Sequence, residues 1–157
     1  MRRSNRGQVE ITHIILISIT MVVFISLLFS VTSIGLAANG VASEAQFMRI
    51  SGYVSSEIVR AYTLILYSNS TKSAINVSLS LPQTICNHNY GIFIETVNGG
   101  PQVVAYAQDD TLIQSSSPVC NVNATFSGTI YSTASQPMVE LSRLSNGVIK
   151  IWLGNSL

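Results

Sequence analysis

Cys86 and His88 stand two residues apart in Cys86-Asn87-His88-Asn89-Tyr90, and a thiol beside an imidazole is the beginning of a metal site or an activated nucleophile. The count is too low for either: structural zinc takes four protein ligands and catalytic zinc three. His88 therefore reads as a loop histidine. Asp109-Asp110, following Tyr106-Ala107-Gln108, offers carboxylate oxygens to calcium, but without a third, spaced acid the pair reads as a turn. A phosphate-binding loop, a Gly-x-Ser-x-Gly elbow and paired catalytic acids do not occur in the sequence. The expectation is a protein without enzymatic activity, metal or cofactor.

The two cysteines, Cys86 and Cys120, are far from CxxC spacing, so redox or metal chemistry is not suggested. Outside the cytoplasm the natural reading is one disulfide between them, closing a loop of about 35 residues for up to about 4 kcal/mol; two buried free thiols are the alternative. Three acceptor triplets, Asn69-Ser70-Thr71, Asn76-Val77-Ser78 and Asn123-Ala124-Thr125, fit glycosylation in that same compartment.

These residues need a scaffold, and the 157-residue chain divides its length unequally. Some forty residues form an apolar N-terminal segment, which leaves about 110 for one modest soluble domain. Charged residues make up only 10%, so polarity rests on hydroxyls and amides, and mean hydropathy is +0.41. The net charge of +1 gives no electrostatic reason for nucleic-acid binding.

Ile11 to Ser43 contains no charged side chain over thirty-three residues. As a helix it spans about 50 Å, whereas a bilayer core needs about 30 Å. Arg2, Arg3 and Arg6 precede it and place the N-terminus in the cytoplasm and the rest of the chain outside. A secretory signal has a shorter apolar core, of about 7 to 15 residues. Ala37-Ala38-Asn39-Gly40-Val41-Ala42 nevertheless offers small residues to a signal peptidase. At the start of the helix Glu10 and His13 are the embedded polar groups, read either as subunit contacts or as groups solvated at headgroup level.

From Glu44 to Ser68 the periodicity becomes amphipathic: Phe47, Ile50, Val54, Ile58, Ala61 and Ile65 recur at helical spacing, opposite Gln46, Arg49, Ser56, Glu57 and Arg60. Gly35, Gly40 and Gly52 mark positions where the long helix can bend. Past Ser68 the period falls to two. Strands are predicted over 76–81, 91–97, 102–107, 111–114, 122–132, 138–144 and 148–153, with hairpin connections at Asn98 to Pro101 and at Ser145-Asn146-Gly147. The fold class is α+β: a long N-terminal hydrophobic helix followed by an antiparallel, sandwich-like β head.

The order of short basic leader, Arg6-Gly7-Gln8 and uninterrupted apolar helix resembles the class III signal of type IV pilin-like proteins, especially archaeal pilins and archaellins. The resemblance covers about forty residues closely and the remainder only in layout. It implies cleavage by a membrane prepilin peptidase between Gly7 and Gln8, residues 8–43 as the transmembrane and polymerisation helix, 44–68 as its amphipathic continuation and 69–157 as an extracellular head. The product is a lollipop-shaped subunit of a surface filament. It assembles as a homopolymer through Glu10, Ile14, Ile17, Phe24 and Leu28 with the pilus assembly machinery, and resides in the membrane beforehand. Bacterial pilins carry a glutamate as the fifth mature residue, which is Thr12 here; the nearby acid is Glu10, the third. Thr12-His13-Ile14-Ile15-Leu16 also has some likeness to archaellum stator-like proteins, whose subunits stay in the membrane.

Overall fold

The computed structural model describes residues 5–68, 73–97, 100–110 and 112–156, with side chains from residue 12 onward except at 36–39. One α-helix, α1, runs over Asn5–Tyr67, 63 residues long and continuous through Gly35, Gly40 and Gly52. Seven strands follow: β1 Ser73–Ser78, β2 Tyr90–Val97, β3 Gly100–Ala107, β4 Gln114–Pro118, β5 Thr125–Tyr131, β6 Pro137–Arg143 and β7 Ile149–Asn155. The chain is α+β and separates into two units, one up to Val41 and one from Ala42, the second holding the last two fifths of α1 and every strand.

Within the second unit the strands form one sheet in the order β1-β6-β7-β5-β2-β3-β4. Neighbours are antiparallel except β5 and β7, which run parallel because β6 crosses past β7 before the chain returns between them. A sandwich is the sequence expectation, but pairing continues through all seven strands, and the second layer is supplied by the helix. The physical reason lies in α1: Phe47, Val54, Ile58, Ala61, Tyr62 and Ile65 lie on one stripe and are buried against Ile92, Val103, Ala105, Ile130, Leu141, Ile151 and Leu153. Each fully buried Leu, Ile or Phe contributes about 1.5–3 kcal/mol.

The sheet curls round the helix, for both of its ends reach it. At the β4 edge Ser51 Oγ and Ser117 Oγ share a hydrogen bond of 2.9 Å, and Ser55 Oγ donates to the Pro118 carbonyl at 2.7 Å. On the β1 side the Ser80 amide donates to Tyr53 Oη at 3.4 Å. Small residues let β4 approach closely: a Cβ on Gly52 would sit 3.7 Å from Ser117 Oγ. The β4 strand therefore lies over 114–118, not over the more apolar 111–114 predicted. Both exposed edges are short and polar, and β4 ends in proline, which limits pairing with further strands.

The hairpin at Ser145 to Gly147 closes as expected. Gly147 adopts φ 82°, its amide donates to the Leu144 carbonyl at 2.9 Å, and Asn146 Oδ1 accepts from the Val148 amide at 3.1 Å. Val97 pairs with Gly100 across the other hairpin, whose Asn98 and Gly99 lie outside the described residues.

Candidate functional site

The most unusual surface is the apolar part of α1. Every side chain from Thr12 to Gly35 is exposed, including Ile14, Ile17, Phe24 and Leu28 at 64, 62, 60 and 51%. Exposed apolar patches of this extent mark surfaces of interaction with a membrane or with other proteins. The hydroxyls along it do not alter that character. Ser18, Thr20 and Ser26 donate to the carbonyls four residues earlier, at 2.8 Å each, and Thr32 donates to the Leu28 and Phe29 carbonyls at 3.0 and 2.9 Å. Turned back in this way, they add little polarity to the outer surface. The helix from Thr12 is long and apolar enough to cross a membrane, by length and composition. Gly7, Gln8 and Glu10 lie on its helical backbone near the N-terminal end.

The cysteines do not meet. Both are exposed free thiols, and strand register explains why. Cys86 precedes Tyr90, which pairs with Ala107 at one end of β3, whereas Cys120 follows Val119, whose amide bonds to the Pro101 carbonyl at the other end, at 2.8 Å. Six residue steps at about 3.3 Å separate those ends by about 20 Å, while a disulfide needs Cα atoms within about 7 Å. The helix gives the same measure. The ring of Phe47 contacts Tyr90 with centroids 6.4 Å apart, and Tyr62 Oη meets the Asn123 backbone at 3.3–3.4 Å, fifteen residues or about 22 Å further along α1. The intramolecular disulfide expected from the sequence is thus replaced by two thiols at opposite ends of the head.

Cys86 occupies a demanding place. Ile85 and His88 exchange backbone hydrogen bonds of 3.0 and 2.9 Å around a two-residue turn, with Cys86 at φ 50° and Asn87 at φ 67°. Two left-handed residues in succession make a type I′ turn, for which Asn, Asp and Gly are suited. A cysteine held there costs about 1–3 kcal/mol. Cys120 instead borders an open concavity of about 580 Å³ lined by Pro101, Pro118, Val119, Asn121, Val122 and Asn123.

His88 is held by Asp109, both carboxylate oxygens lying 2.9 Å from Nδ1. That hydrogen bond holds the Asp109 carboxyl below the usual carboxylate range. Asp110 serves as turn former, its Oδ1 accepting from the Leu112 amide at 3.0 Å. No three His, Cys, Asp or Glu residues among those described are grouped to hold a metal ion. Burial pushes the Tyr90 phenol up to about 12, and its hydroxyl donates to the Pro82 carbonyl, tying the first long loop to the sheet. Asn76 and Asn123 are exposed, Asn76 on the solvent face of edge strand β1; Asn69 lies outside the described residues.

Two arrangements have no signal in the sequence pattern. One is the serine seam of Ser51, Ser55 and Ser117. The other lies on the outer face of the sheet, where Tyr106 covers Gly91 so closely that a Cβ there would fall 2.5 Å from its ring, and where Phe93 and Tyr106 pack edge to face at 5.7 Å. Burial, then the neighbouring Tyr131 hydroxyl, pushes the Tyr106 phenol up. The strand pattern alone shows which residues alternate but not which strands become neighbours. Against known proteins, the chain matches no family model, no curated protein and no solved structure.

Proposed function

We propose that the chain is a structural subunit of an archaeal type IV pilus-like surface filament, assembled through its N-terminal helix and displaying the β-rich head for adhesion or a related surface role. The observation that carries this reading is the contrast within α1: a head with a complete core of its own follows a helix whose every described side chain from Thr12 to Gly35 is uncovered. In a bundle of its own copies that surface is buried away from water, and van der Waals packing supplies the association energy. Arg6-Gly7-Gln8 is the proposed substrate of a prepilin peptidase. Removal of the three N-terminal arginines leaves five basic against seven acidic residues and frees the helix end from its charged anchor. In this reading Glu10 pairs with the new amino terminus at Gln8 of a neighbour.

Mass spectrometry of the native protein tests this directly. The expected first residue is Gln8, in filaments sheared from the cell surface and seen by electron microscopy; an intact Met1 on a detergent-dependent monomer would sink the reading. Gly7→Phe should block processing and abolish filaments. A second reading is a membrane-retained envelope protein, such as a minor pilin or an archaellum stator-like component. It draws on the sufficiency of the same helix as a single span without any partner, and predicts that the protein stays in the membrane pellet after shearing.

A further inference from the structure

Two exposed thiols at opposite ends of one head, neither able to reach the other, are poorly explained as structural cysteines. We propose that they join successive copies of the chain, Cys86 of one copy bonding to Cys120 of the next. The inference rests on the filament reading for the parallel alignment of the copies, and on the head's own geometry for the rest.

The two surfaces differ in form. Cys86 lies at the exposed tip of the tight turn Ile85–His88, a convex feature, while Cys120 edges the open concavity between Pro101 and Asn123. None of the residues lining that concavity is charged, and Cys86 and Asn87 at the tip are uncharged as well; the contact requires the acceptor Asn123, which lines the concavity, to carry no glycan. Docking one against the other therefore buries no unpaired ion. The separation also suits a staggered array. Copies whose heads lie in parallel, displaced by about 20 Å along the stretch of α1 within the head, bring the Cys86 end of one beside the Cys120 end of another. Like-with-like pairing requires copies side by side without that displacement. Because the two surfaces differ, the contact is heterologous and leaves one thiol free at each end of the growing chain, so it propagates instead of closing at a dimer. A left-handed cysteine where asparagine or glycine is easier is consistent with selection for the thiol's position at the tip and not for the turn's stability.

The chemistry is ordinary thiol oxidation. Each bond forms as two thiols lose two protons and two electrons, and the acceptor is either dioxygen, reduced to hydrogen peroxide, or a small disulfide, reduced to two thiols by exchange. Both acceptors belong to an oxidising compartment outside the cell.

The test uses the full chain, alkylated at harvest to trap free thiols, from sheared filaments and from membranes. Non-reducing electrophoresis should give a ladder that collapses with dithiothreitol, and peptide mass spectrometry should find Cys86 linked to Cys120. Cys86→Ser or Cys120→Ser alone should each remove the ladder, and co-expression of the two variants should restore a dimer and nothing larger. Circular dichroism of each variant should match the parent, since both thiols are exposed. Linked peptides confined to the monomer band, both cysteines alkylated as free thiols, a mass increment from a small thiol, or dimers of either variant alone would each overturn the proposal. Intact filaments beginning at Gln8 without cross-links would remove the disulfide and leave the filament reading standing; Met1-bearing monomers without filaments would remove that reading.

Discussion

Two lengths of the same helix are treated in opposite ways. From Thr12 to Gly35 every side chain is exposed, whereas from Ser43 to Ile65 a stripe at spacings of three and four is buried. Backbone geometry and hydrogen bonding are common to both, so the difference is one of side chains. In the second length the apolar residues are confined to one face and the sheet covers them. In the first they surround the axis, and none of the described residues covers them. The lesson is that helical structure by itself says little about what stabilises it: one length is held by its own head and the other awaits its surroundings.

The contrast is sharpest at two phenylalanines. Phe47→Ala should destabilise the head by about 3–5 kcal/mol, because a fully buried ring contacting Tyr90 leaves a cavity. Phe24→Ala should change head stability by less than about 0.5 kcal/mol. Thermal unfolding of the full chain in detergent, followed by near-ultraviolet circular dichroism, separates the two; equal losses would break the comparison. Somewhat smaller is the effect of Phe24→Arg, which at the centre of a lipid-embedded helix costs about 2.5–3.5 kcal/mol. The expected outcome is loss of membrane retention and of filaments, with the head's unfolding unchanged.

Ser55→Ala removes a bond from the helix to β4 and should cost about 1 kcal/mol. Ser51→Leu should cost more, about 1–3 kcal/mol, because Ser51 is fully buried against Ser117 and the added carbons have nowhere to go. Equilibrium denaturation of both variants gives the ratio. The smallest effect belongs to the exposed Asp109. Its folded carboxyl is depressed by the bond to His88, so the contribution is present above the ordinary carboxylate range and is lost as pH falls through the lower folded value. Acid unfolding of Asp109→Asn should lack that small component while matching the parent near neutrality.

Much of the head's relation to the helix is written in periodicity. Phe47, Val54, Ile58, Ala61 and Ile65 identify the buried stripe before any strand is placed, and four of the seven strands begin within two residues of their alternating patterns. Strand β4 is illegible for a definite reason. Gln114-Ser115-Ser116-Ser117-Pro118 has no apolar alternation, and it pairs because its small hydroxylated side chains let the helix approach and then bond to it. The cysteines fail differently. Their spacing suggests a loop to be closed, but only the register of β2, β3 and β4 reveals that opposite ends of the sheet lie between them. The single-sheet topology, with β5 beside β7 in parallel, is likewise a matter of which strands meet, and alternation carries no information about partners.

The hydroxyls of Ser18, Thr20, Ser26 and Thr32, folded onto their own backbone, have one more implication. From Ile14 to Phe29 a rod greasy on all sides, with its hydroxyls turned onto the backbone, has no preferred azimuth. It can spin about its axis, or slip past a like rod by a turn, without trading one specific bond for another. Such a rod provides cohesion but no address. In the proposed filament, which neighbour sits where, and at what height, is then decided at the polar start of the helix, where Glu10 lies, and on the head, so substitutions at those places should reset the pitch of an assembly that substitutions along this length merely weaken.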